Sequence, residues 1–405
     1  MPQHPVAVVR VLQSKFLNKV GKLLKSEPEP EGVTCVLPWV GHCIQNPGTV
    51  TPCCRFHGTE NSPMAHLTLG PYPGYKLSEY HHKYPQREFL AGNYPEHCVK
   101  CKVEDLKGVR SMRKEFNEIY EDVDTSKFGK QNARYIEISF GNLCNLACRM
   151  CNSNDSTRWA GVQKHLAHEI TGYKERVWPE YRTEIDCIDI DLSEVDRIKF
   201  MGGEPMMHPD HELFLEKLVE DNPHSGRVYA RYHTNATVRP NDRILEIWEQ
   251  LGSVEIAFSI DGVGAVNDYI RPPSKWEQIE ETVQWYQNLG MPNVQLHVHS
   301  AISVLNLFDL NNLWQWTKDN KIRIWNRDIV RYPSYLCVTN APFDLKHQMK
   351  LYLQNTPIET SVLYDALEQI GDPDQWTKFI NYTKSLDRYW GTSLQLADKT
   401  VWRYV

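Results

Sequence analysis

The densest chemical signal in the chain is Cys144-Asn145-Leu146-Ala147-Cys148-Arg149-Met150-Cys151, three cysteines in CxxxCxxC spacing. Thiolates this close on one short loop can face one another and hold three corners of a four-iron cluster. The loop supplies no fourth cysteine, so one iron stays open. An open position is what a chelating substrate or cofactor requires, by the logic that separates catalytic metal sites from closed structural ones. A zinc site completed by a distant fourth ligand is the alternative. A second set lies upstream: Cys35, Gly48, Cys53 and, after a long gap, Cys98-Val99-Lys100-Cys101. Zinc would also suit the last pair. Cys43 and Cys54 compete for places in this set, and adjacent Cys53 and Cys54 cannot both bind one cluster without strain. Cys187 and Cys337 read as lone thiols.

Downstream, Gly202-Gly203-Glu204-Pro205 pairs two glycines, which let the backbone approach a ligand closely, with a carboxylate able to accept from an ammonium. In Ser259-Ile260-Asp261-Gly262 the Ser and Asp are two apart, so on a strand they point to one side, where a polyol can use both. His233-Thr234-Asn235-Ala236-Thr237 and Arg271 offer further polar groups, the Arg suited to forking a carboxylate. His208, His297 and His299 read as ordinary barrel residues. Strand-end turns or surface residues explain each of these segments when taken singly.

These groups need strands to carry them. Beyond Gln131 short β-branched runs alternate with helical patterns. Strands are expected at Arg134 to Phe140, Arg197 to Met201, Val228 to Thr234, Val254 to Ile260, Val294 to Ser303 and Ile322 to Val330. Helices are expected at about 155 to 170, 210 to 220, 241 to 251, 275 to 289 and 306 to 319. Six strands alternating with helices imply an α/β fold with a parallel sheet, reactive groups lying at the C-terminal strand ends. Four regions follow: 1–32, a basic amphipathic helix and linker; 33–128, loop-rich from Cys35 to about Lys107 with one hairpin, then a helix over about Val109 to Asp122; 129–335, the strand-rich core; and 336–405, a helical cap rich in aromatics such as Trp376, Tyr389, Trp390 and Trp402. The basic helix suits a membrane surface, a transit peptide or its own protein as a docking face.

With 405 residues, 41% of them hydrophobic, the chain can bury more than one core. A net charge of −6 disfavours general nucleic-acid binding, and no apolar run reaches the length of a membrane span. Eleven cysteines, odd in number, unevenly clustered and without a preceding secretory signal, read as metal-serving thiols of the cytoplasm.

Taken together, residues 130 to 335 resemble the radical S-adenosylmethionine (SAM) superfamily. Cys144, Cys148 and Cys151 match its cluster motif, with Met150 where members usually carry an aromatic. The resemblance implies a partial (β/α)6 barrel. Gly202, Gly203 and Glu204 look like its GGEP motif, which binds the SAM amino group. Asn235 lies in a segment like its TNG, with Ala236 replacing glycine. Ser259 and Asp261 look like its SxDG segment near the SAM ribose and carboxylate, and Arg271 resembles an arginine that forks that carboxylate. Cys35, Gly48 and Cys53, with Cys98 and Cys101, resemble the Cys-x(9 to 15)-Gly-x4-Cys element of twitch and SPASM domains. Four candidates make one complete set, so twitch fits better, although here the element precedes the barrel.

The resemblance implies a [4Fe-4S] cluster, SAM and an auxiliary iron-sulfur cluster, expected as [4Fe-4S], with ligands Cys35, Cys53, Cys98 and Cys101. It implies reductive cleavage of SAM to a 5′-deoxyadenosyl radical that abstracts hydrogen from a substrate. The barrel orients the substrate and excludes solvent. A peptide or protein side chain undergoing oxidation is the first choice, a small alcohol the second. A flavodoxin or ferredoxin is the expected reductant. The rival is a non-catalytic iron-sulfur electron carrier or regulator, which would not need the SAM-binding segments.

Overall fold

A computed structural model describes residues 33–45, 49–56, 79–106, 108, 110–129, 132–174, 177–183 and 190–405. The basic N-terminal helix and its linker, Gly48 and Cys187 lie outside these residues.

The strands expected from the short β-branched runs form within a residue or two of their predicted limits: β3 (Tyr135–Ser139), β4 (Arg197–Met201), β5 (Tyr229–Thr234), β6 (Ser253–Ser259), β7 (Val294–Ile302) and β8 (Arg323–Ile329). All six run parallel, each paired with the next in sequence. Two further strands, β1 (Gly41–Gln45) and β2 (Thr49–Thr51), extend the same sheet, giving the order β2-β1-β3-β4-β5-β6-β7-β8. The hairpin allowed for near the N-terminus therefore exists, but it belongs to the main sheet. β1 lies parallel to β3 with Cys43 opposite Glu137.

The loop-rich reading of residues 33–128 needs correcting, because α1 (Glu79–Leu90) and α2 (Val99–Leu106) form there before the expected α3 (Met112–Ile119). Pro85 inside α1, and Cys98 before and Cys101 within α2, hid the helical spacing. In the core the crossovers are α4 (Trp159–Glu169), α5 (Pro209–Asp221), α6 (Asp242–Trp248), α7 (Trp276–Gln287) and α8 (Leu310–Asp319). The C-terminal segment is helical as expected, with α9 (Phe343–Leu353), α10 (Ser361–Glu368) and α11 (Pro373–Trp390).

Alternate strand residues, among them Ile136, Ile138, Ile198, Phe200, Ala230, Tyr232, Ile256 and Phe258, pack with Phe214, Leu218, Trp248, Ile279 and Val283 of the helices. Fully burying each large side chain is worth about 1.5–3 kcal/mol, so this face fixes the strand register. Residues between them point to the other face. One rung there runs Glu137, Lys199, Arg231, Glu255, Gln295 across five strands. Barrel interiors are ordinarily filled by Val, Ile and Leu. Here the register places charge.

Candidate active site

The three-cysteine loop follows β3 and lies under the C-terminal strand ends. Cys144 and Cys148 are buried and pack with Leu146, Met150 and Cys151. The Cys151 thiol donates to Cys148, which together with the nearby Arg271 guanidinium holds Cys148 below the ordinary thiol range despite burial. Burial, helped by the charge of Cys148, pushes Cys144 up to about 12. Arg271 Nη1 lies 3.6 Å from Cys148 Sγ, and Asn235 Nδ2 lies 3.7 Å from Cys144 Sγ. Donors aimed at sulfur favour thiolate, the form that binds iron.

The other predicted residues converge on the same loop. Glu204 is wholly buried; its Oε1 accepts from Thr234 Oγ1 at 2.8 Å and its Oε2 from the Asn235 backbone N–H at 2.7 Å. Burial raises its carboxyl to about 7, against the opposing hydrogen bonds from Asn235, Thr234 and Met206. Gly202 and Gly203 both have positive φ. At Gly203 the close neighbour is the cluster loop itself, since a Cβ there would lie 2.3 Å from the Leu143 carbonyl oxygen. Ala236 keeps the left-handed backbone a glycine would take, at φ 60°. Asp261 is buried, accepting the Ala301 N–H at 2.8 Å and pairing with Arg271 Nη2 at 2.7 Å. Ser259 sits in register with His299 on the polar face.

Cys35, Cys53, Cys98 and Cys101 share one cluster with Trp39, Phe89 and Tyr94. Burial and then the charges of Cys54, Cys101, Cys35 and Cys98 hold Cys53 well above the usual thiol range. Cys98 is raised by burial and by Cys35 and Cys101. The four predicted thiols thus lie close enough to repel as anions. The competitors have another partner: Cys43 Sγ donates to Glu137 Oε2 at 3.0 Å, and the Cys54 N–H and thiol are bound to the same carboxylate. Cys337 is a buried thiol. Among the described residues no three His, Cys, Asp or Glu are gathered as for a single metal ion. A four-iron cube takes its thiolates at separate corners, so both sets fit a cluster by donor type.

The charged rung lies on the sheet face opposite the apolar core, and its period-two charges are visible in the sequence. Glu137, with Lys199 Nζ at 3.7 Å, is pushed up by burial, but Lys199, Tyr135, Cys43 and Cys54 outweigh that and its carboxyl stays below the ordinary range. Arg231 and His297 pair with Glu255 at 3.2 and 3.0 Å. His299 Nε2 lies 2.7 Å from Asp328. Two of the histidines read as ordinary therefore belong to this polar lining, while His208 is buried near Phe140. The C-terminal aromatics pack: Trp376 stacks on Phe379, and Trp390 joins Trp159, Leu166 and Leu386.

Glu204, Asn235, Asp261 and Arg271 gather around the three-cysteine loop at the strand ends. Residues 138–309 match the model of the radical SAM superfamily. All the loop cysteines and proposed SAM contacts fall within that radical SAM stretch, and the cofactors the family implies are a 4Fe-4S cluster and SAM. The four upstream cysteines and the C-terminal helices fall outside it. No curated protein matches. Among solved structures, anSMEcpe with bound AdoMet is 14% identical over 56% of this chain and 63% of its own, at TM-score 0.37. Streptococcus suis SuiB bound to S-adenosylmethionine is 12% identical over 64% and 58%, at TM-score 0.32. The chain thus spans less than two thirds of the length of these proteins. Among the described residues no helix is long and apolar enough to cross a membrane.

Proposed function

We propose that the protein is a radical SAM enzyme that oxidatively modifies a peptide or protein side chain. The observation that carries the catalytic part is the convergence on one loop of Cys144, Cys148 and Cys151 with Glu204, Asn235 and Arg271. When bound, the cluster and SAM supply a reductively generated 5′-deoxyadenosyl radical. The chain's own residues do the holding. Cys144, Cys148 and Cys151 take the cluster, Gly202, Gly203 and Glu204 take the SAM amino group, Ser259 lies toward the ribose, and Arg271, steadied by Asp261, takes the carboxylate.

Cys35, Cys53, Cys98 and Cys101 hold an auxiliary cluster in this reading. Their mutual proximity, with Cys43 and Cys54 diverted to Glu137, supports that ligand set. The choice of a peptide substrate rests on the resemblance of these cysteines to twitch elements. A flavodoxin or ferredoxin is the proposed electron donor. The test is anaerobic incubation of the iron-loaded protein with dithionite and SAM. Release of 5′-deoxyadenosine, lost in Cys148→Ala, is expected; no release from protein with its clusters intact would leave an electron carrier as the better account.

A further inference from the structure

Arg149, directly after the candidate cluster ligand Cys148, is almost completely buried. A guanidinium taken out of water must be fully bonded or it destabilises the fold by several kcal/mol. Arg149 meets that need outside its own loop. Its Nε donates to the Tyr269 carbonyl at 2.8 Å, and its Nη2 donates to Asp387 Oδ1 at 2.6 Å and to Thr392 Oγ1 at 2.9 Å. The guanidinium carbon also lies 3.7 Å from the centre of the Tyr269 ring. Asp387, on α11, is itself fixed, accepting from the Thr392 hydroxyl and from the Leu394 N–H at 3.0 Å each.

The backbone repeats the connection. The Ala147 N–H donates to the Pro272 carbonyl at 2.6 Å and the Arg149 N–H to the Ile270 carbonyl at 2.8 Å. Between those two carbonyls stands Arg271, which reaches Cys148 Sγ and Asp261. The cysteine loop and the strap at 269–272 are therefore stitched on both edges, and the outer anchor of the stitch is a carboxylate 238 residues away, beyond the matched radical SAM stretch.

A buried ion pair is weak evidence for stability, since a packed apolar pair often does as well; what such a pair supplies best is a unique register. We propose that Arg149 is a positioning residue: clamped by Asp387, it sets the cluster loop against the strap that carries Arg271, so that α11 is part of the machinery for SAM turnover. This rests on the radical SAM reading of the loop. Misplacing reacting groups by about 1 Å costs on the order of 100-fold, so a loosened clamp shows in turnover before it shows in cluster content.

The full-length, anaerobically reconstituted protein tests this with SAM as the probe and dithionite as reductant. Iron content, the electron paramagnetic resonance signal of the reduced cluster with and without SAM, and kcat and KM for 5′-deoxyadenosine release are measured for Asp387→Asn, Arg149→Lys and Arg388→Ala. Arg388 pairs with Glu169 on the exposed side of the same helix and is the control. The expected result is unchanged iron in all three, with kcat lowered about 10- to 100-fold and the SAM-induced change in the signal broadened in the first two alone. Wild-type turnover and signal in Asp387→Asn and Arg149→Lys would overturn the proposal. Should those two variants lose iron, the packed double variant Arg149→Met with Asp387→Leu decides. Iron restored without turnover supports positioning, and both restored together overturns it. Failure of the wild-type protein to cleave SAM would instead remove the radical SAM reading beneath it.

Discussion

Glu204 Oε2 accepts the backbone N–H of Asn235 at 2.7 Å, joining the turn after β4 to the end of β5 through a wholly buried carboxyl. Because burial raises this carboxyl to about 7, its charge is available for an ammonium only at neutral pH and above. SAM affinity is expected to fall as the pH drops below about 7 and to level off above it. Glu204→Gln flattens that profile and weakens binding by about 1.5–3 kcal/mol, the range for a hydrogen bond to a charged group. Equilibrium dialysis of SAM between pH 5.5 and 8.5 measures both. The sign for the unliganded fold is the reverse: with a folded value above the ordinary 4.5, Glu204 makes stability decline as pH rises between 4.5 and about 7.

Asp261 and Arg271 form a pair that is only 0% and 11% exposed in its side chains, at 2.7 Å. Removing Asp261 leaves a nearly buried guanidinium without its carboxylate partner, at a cost of about 3–5 kcal/mol. Asp261→Asn is therefore expected to lower the thermal unfolding temperature clearly. Asp261→Asn combined with Arg271→Met recovers much of the loss in stability while still abolishing SAM cleavage. Calorimetry and the 5′-deoxyadenosine assay on the same samples separate the two effects.

The six N-terminal cysteines divide into a set of four and a pair bound to Glu137, and iron analysis can read the division. Cys35→Ala and Cys98→Ala are expected to lose about half of the iron while keeping the signal of the three-cysteine loop. Cys43→Ala and Cys54→Ala are expected to retain all of it. Equal iron in all four variants would remove the auxiliary site.

The strands were legible where apolar and charged residues alternate strictly. Arg197-Ile198-Lys199-Phe200-Met201 forms a strand with the expected limits because its Ile and Phe have helices to pack on and its Arg and Lys do not. β1 was not legible as part of the sheet: Gly41-His42-Cys43-Ile44-Gln45 has little alternation, and its partner β3 begins some 90 residues later. The helix over Ala265–Ile270 was likewise missed, a single short run between two polar turns. The cluster cysteines could be read from spacing because one loop holds all three. The Arg149 clamp could not, since its two halves are 238 residues apart and neither has a local pattern. The division of Cys53 from its neighbour Cys54 depends on which side of the chain each thiol takes, which only the fold decides.

Gly203 gives the sharpest steric test. Its φ is +56°, and a methyl group there would lie 2.3 Å from the Leu143 carbonyl oxygen and 3.1 Å from that of Gly141, both backbone atoms of the segment leading into the cysteine loop. Gly264 has nearly the same φ, +58°, with nothing within 4 Å of the added atom. An alanine at either position pays a positive-φ backbone cost of about 1–3 kcal/mol, the larger at Gly264, whose ψ of −127° lies outside the left-handed helical well, but only Gly203→Ala also pushes the loop away. Both variants are thus expected to lose some thermal stability. Gly203→Ala alone is expected to lose the iron of the three-cysteine loop, and with it SAM cleavage, whereas Gly264→Ala keeps both. If the two variants behaved alike in iron content and turnover, the close packing of the Gly202–Gly203 turn against the loop would not matter for assembling the site.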